Sequence, residues 1–194
     1  MLLATFIITL VATGAGVFLA LYFSNIEDRN KEKTNAVKIL SASKAELDGK
    51  IAHVSDALQI ITYINDSTYT FDDYINLYQI ENGVNLRNAI DNDVVIGHLS
   101  PNGMYLLALW NDNVAYAFKQ LTNSISKGKT PYTEGLITYG IHLETVRKMI
   151  VLEKMYIEEG VPAKDILDEY AEIEDYYREA FIALKNKQDN SLSQ

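Results

Sequence analysis

The residues that invite a chemical reading are few. Gly128-Lys129-Thr130 has the form of the end of a phosphate-binding loop. The full motif needs a glycine five residues before Gly128 and a strand leading into it. Position 123 is Asn123, and a helical pattern leads in, so the tripeptide reads instead as a helix start, with Thr130 capping and Pro131 in the first turn. Di-iron and di-manganese bundles place a Glu three residues before a His on two inward faces. The residues at that spacing before His53, His98 and His142 are Lys50, Val95 and Tyr139, so that pattern is absent, and His142 is expected to pack beside a helix seam with one nitrogen bonded. The chain has no cysteine, which removes disulfides, thiolate metal sites and a thiol nucleophile. No metal or other cofactor and no catalytic residue is expected. A net charge of −9 argues against nucleic acid as a partner.

What remains is surface chemistry. Asp168, Glu169, Glu172, Asp175 and Glu179 lie away from an apolar seam formed by Ile166, Tyr170, Ile173, Tyr177, Phe181 and Leu184. That acidic face is a candidate docking surface for a basic protein partner.

The elements that must position these residues are helical throughout. Val37, Leu40, Lys44, Leu47, Ile51, Val54, Leu58 and Ile61 step by three and four, predicting a helix over about 26–64 with one narrow seam. Asn65-Asp66-Ser67 breaks it, and doubles as a glycosylation sequon by sequence alone. Thr70 with Asp73 predicts a capped short helix carrying Phe71, Tyr74, Ile75 and Tyr78, ended by Asn82-Gly83. A second short helix turns Leu86, Ala89 and Ile90 inward, and Asp93–Ile96 is the one strand-like scrap. After the turn at Gly97–Gly103 come three long helices. Their inner positions are Leu107, Trp110, Val114, Ala117 and Leu121; then Leu136, Tyr139, Leu143, Val146, Ile150 and Ile157; then the seam of the acidic helix, from Pro162 to Lys187. Gly160 stops the middle one.

The opening stretch, Met1–Phe23, carries no charged side chain. As a helix it would span roughly 33 Å against a hydrocarbon core of about 30 Å, which predicts a single transmembrane anchor. A cleaved signal peptide is the rival, with Thr13 and Ala15 at cleavage-site spacing, but it lacks a basic start. Arg29, Lys31, Lys33 and Lys38 follow the stretch, which predicts contact with lipid headgroups and a cytoplasmic domain. Ala12, Gly16 and Ala20 recur every four residues, a row that suits close helix pairing.

The run Asp28–Lys33 (DRNKEK) followed by a helix with Ile39, Leu40, Ala45, Glu46 and Leu47 resembles uncharacterised bacterial single-pass membrane-anchored helical proteins. The resemblance implies an anchored helical domain and no known activity. The expected organisation is therefore all-α. An anchor occupies 1–23 and a juxtamembrane stalk 24–36. An antiparallel bundle of four long and one or two short helices fills 37–187, and a disordered tail 188–194. The expected function is a non-enzymatic interaction or scaffold protein, its partners being membrane lipid and a protein or a second copy of itself. The alternatives are a ligand-binding sensor module and an enzyme acting at a membrane.

Overall fold

The computed structural model describes residues 2–62, 64, 70–78, 80 and 87–191; side chains are described for these except 2–12, 62, 87, 88, 181 and 184–191. The described residues are all-α. Four long helices, α1 (Leu2–Thr62), α5 (Gly103–Ser124), α6 (Lys129–Glu159) and α7 (Ala163–Ser191), are accompanied by three short ones between α1 and α5, α2 (Phe71–Leu77), α3 (Arg87–Ile90) and α4 (Asp93–Ile96), and by a single 3-10 turn, Ile125–Lys127, between α5 and α6.

Helix α6 is the axis, and α1, α5 and α7 each pack against it. All three contacts are antiparallel. Against α1, Lys129 donates to the Ile64 carbonyl at 2.9 Å, a Cβ on Gly140 would lie 3.3 Å from Val54, and Arg147 meets Asp48 at 3.5 Å. As one helix descends the other rises. Gly135 approaches Leu121 and Ser124 of α5 just as closely.

The inner positions predicted for α5 and α6 are all buried, as are Ile166, Tyr170 and Ile173 of α7. Tyr177 is partly buried, and the predicted positions Phe181 and Leu184 lie outside the described side chains. The seam of α1 differs in phase. Its buried residues are Ala36, Leu40, Ser43, Leu47, Val54, Ala57 and Ile61, while Val37, Ile51 and Leu58 flank it. Small side chains at positions 36, 43 and 57 let α6 come close, and a search for large apolar residues passes over them. Lys44 therefore stays out of the seam and pairs with Asp48 at 2.5 Å.

Thr70 and Asp73 form the expected capping box. Asp93–Ile96 is a helical turn capped by the Asn92 side chain rather than a strand. Helix α6 starts at Lys129, behind Gly128 at φ 102°, so Thr130 sits inside the first turn and caps nothing. The expected break at Asn65–Ser67 and the stop at Asn82-Gly83 lie outside the described residues. Helix α7 continues to Ser191, beyond its expected end at Lys187.

The membrane anchor over 1–23 and the single-pass placement are corrected. Among the described residues no helix is long and apolar enough to cross a membrane. One helix runs unbroken from Leu2 to Thr62.

Replacing Gly140 with Leu should lower the unfolding free energy by about 1–3 kcal/mol, because the added side chain must displace Val54 and separate α1 from α6. Urea denaturation of both proteins measures it.

Candidate functional site

The most unusual group in the body is a buried carboxylate. Glu153 falls on the α6 seam, in the series Val146, Ile150, Glu153, Ile157, and is 0% exposed. Three donors converge on it. The backbone N–H of Ser100 donates at 2.7 Å, the Ser100 hydroxyl at 2.6 Å, and the Tyr170 hydroxyl at 2.5 Å. Ser100 stands in the turn after α4, and Tyr170 comes from α7. One carboxylate thus ties the turn and the last helix to the axis. Burial, reinforced by the adjacent Glu153 charge, pushes the Tyr170 hydroxyl far above the usual tyrosine range, so it remains a donor. Gly103 opens α5 beside the same carboxylate, and a Cβ there would overlap both Glu153 oxygens.

A second polar group lies further along α6. The His142 ring Nε2 meets the Tyr177 hydroxyl at 2.6 Å, and Trp110 sets its ring edge-on to Tyr177 at 4.9 Å between centroids. Burial lowers the His142 pKa to about 4, so the ring is neutral at pH 7. Trp110 Nε1, His142 Nδ1 and the Tyr139 hydroxyl have no hydrogen-bond partner among the described residues.

The Glu153 carboxylate is itself fully buried. A general base must come within hydrogen-bond reach of the proton it takes, and the Glu153 oxygens are occupied by three donors beneath the surface. Glu153 and Tyr170 form a clasp. Among the described residues no cluster of three or more His, Asp or Glu is placed to hold a metal ion.

The residues singled out by sequence lie elsewhere. Gly16 and Ala20 are exposed on α1, with open space where a Gly16 Cβ would point; the Ala12 side chain lies outside the described set. Lys31 pairs with Glu27 at 2.7 Å, and Lys38 is exposed. Arg29 and Lys33 line a cleft of about 690 Å³ with Asp93 and His98, where α1 leaves the body. Two of the four bases, Arg29 and Lys33, thus share one cleft, and Lys31 is engaged within its own helix. Asp168, Glu169, Glu172, Asp175 and Glu179 are all exposed. Glu169 and Glu172 line a groove of about 580 Å³ whose opposite wall holds Arg147 and Lys148, and Asp175 pairs with Arg178 at 2.7 Å. The acidic face is thus partly matched by cations of this chain.

Sequence reasoning passed over Glu153, Ser100 and Gly103. The available signal was the spacing, since Glu153 continues a run of apolar residues by three and four.

Replacing Glu153 with Ala should cost roughly 3 kcal/mol or more, because it strands buried donors of Ser100 and Tyr170. Gly103→Ala should destabilise the native chain but cost much less in the Glu153→Ala background, a coupling that a double-mutant cycle reads. Acid should also weaken the fold through His142. Its folded pKa lies below the unfolded value, so the unfolded state binds the extra proton, and stability falls as pH drops from about 6.5 to about 4. His142→Phe should flatten that part of the stability–pH curve. No protein-family model, curated protein or solved structure matches this chain.

Proposed function

We propose that the chain is a non-enzymatic interaction protein, a helical body that holds out one helix for a protein partner to cover. The observation that carries this reading is the state of α1 before the body begins. Every side chain from Thr13 to Glu32 is exposed. Phe18, Leu21 and Phe23 are each more than 60% exposed, and Val17, Leu19 and Tyr22 more than half. A helix apolar on all sides is stable when its surface is buried, and contiguous exposed apolar area marks an interaction site. The buried polar groups of the body fasten α7 and the Ser100 turn to α6 and so give the projecting helix a firm base.

A photoreactive phenylalanine analogue placed at Phe18 or Phe23 of the full chain in cells should give an adduct of discrete mass. The same analogue at Tyr105, an exposed position on α5, should not. Equal and diffuse labelling from all three positions would overturn the proposal.

A further inference from the structure

We infer that the partner is a second copy of this chain, and that the projecting parts of two α1 helices pair antiparallel with the two bodies at opposite ends. The inference rests on the interaction reading above and names its partner.

The first observation is that an interface continues past its occupant. The α1 seam that packs on α6 steps by three and four through Ala36, Leu40, Ser43 and Leu47. Continued toward the N-terminus, the same steps reach Lys33, Arg29, Ile26, Tyr22, Leu19 and Ala15. Two bases, Lys33 and Arg29, interrupt the stripe; below Arg29 it turns apolar again, but α6 has already ended at Glu159. The α1–α6 register places that end near residue 36 of α1, which leaves α1 to overhang by roughly 50 Å. A stripe that already packs against an antiparallel helix in the body is presented bare beyond it.

The second observation is charge. Residues 1–35 hold three acids (Glu27, Asp28, Glu32) and three bases (Arg29, Lys31, Lys33), so the overhang is neutral and the net charge of −9 belongs to the rest of the chain. Overhangs can pair without net repulsion, whereas two bodies side by side would set like charges against one another. Antiparallel pairing separates the bodies by several times the Debye length of about 8 Å at physiological salt. A parallel pair cannot do so, because its bodies begin at the same level.

The test uses the full chain. Light scattering should give the mass of two chains. Leu19→Gln with Tyr22→Gln, on the stripe, should reduce it to one. Val17→Gln with Leu21→Gln, on the opposite side of the helix, should leave two. Circular dichroism should be unchanged in both, since none of these residues touches the body. A spin label on Thr34→Cys, in a chain otherwise free of cysteine, reports direction. Antiparallel pairing predicts a separation of about 40 Å or more, and parallel pairing less than about 20 Å. A single-chain mass, species of no defined mass, loss of the dimer in both double variants, or a short Thr34 distance would each overturn the inference. If the photo-adduct at Phe18 contained a different protein, self-pairing would fail while the interaction reading stood. Absence of any adduct would remove both.

Discussion

Helix α6 stops at Gly160, where φ is 70°, and that stop decides what α1 is left to do. A left-handed residue ends the helix without side-chain strain when it is glycine. Pro162 then receives bonds from Asp165 and Ile166 and starts α7 back along the body. The antiparallel register of α1 on α6 is fixed at the other end, where the Lys129 ammonium reaches the Ile64 carbonyl. With both ends set, the core reaches back to Ala36, the first buried residue of α1 among the described side chains. Among the described side chains none earlier in α1 is buried, and the last neighbours the body offers are Asp93 and His98, across a cleft from Arg29 and Lys33.

Inside the body, the polar groups act as specifying contacts. An apolar side chain at position 153 would fill the same seam, but it would not choose which helix lies beside it. Glu153 does choose, because its oxygens need donors and only the Ser100 turn and Tyr170 supply them. Seven residues later on α7, Tyr177 meets His142 in the same way. Two hydroxyls one heptad apart therefore fix the register of α7, while Ile166 and Ile173 supply the apolar burial. Gly103 is the steric counterpart, leaving room for the carboxylate where α5 begins.

The helical bundle was legible in the sequence wherever large apolar residues marked the buried face. Leu107 to Leu121 and Leu136 to Ile157 lie inward as their spacing requires. The reading failed where the buried residue was small or charged. Ala36, Ser43 and Ala57 were missed because close helix approach, not side-chain size, puts them in the seam. Glu153 was missed because a carboxylate is buried only when its donors are present, and those donors come from 53 residues before it and 17 after it. The Met1–Phe23 stretch misled for the opposite reason. Hydropathy reports how apolar a segment is, and a helix continuous with charged turns can be apolar without spanning a membrane.

The same boundary at Ala36 makes the two parts of α1 separable in effect. From Ala36 onward each turn is held by α6, so a polar substitution on the seam there removes core packing and costs stability. Before it, the side chains from Thr13 to Ile26 are all exposed and line no cleft with the body, and their replacement leaves the body's contacts in place. In the proposed pairing, association and folding therefore depend on different residues of one continuous helix. A partner that covers the overhang buries surface the body never used. Because α1 is one unbroken helix, that surface is a direct continuation of the α1–α6 contact.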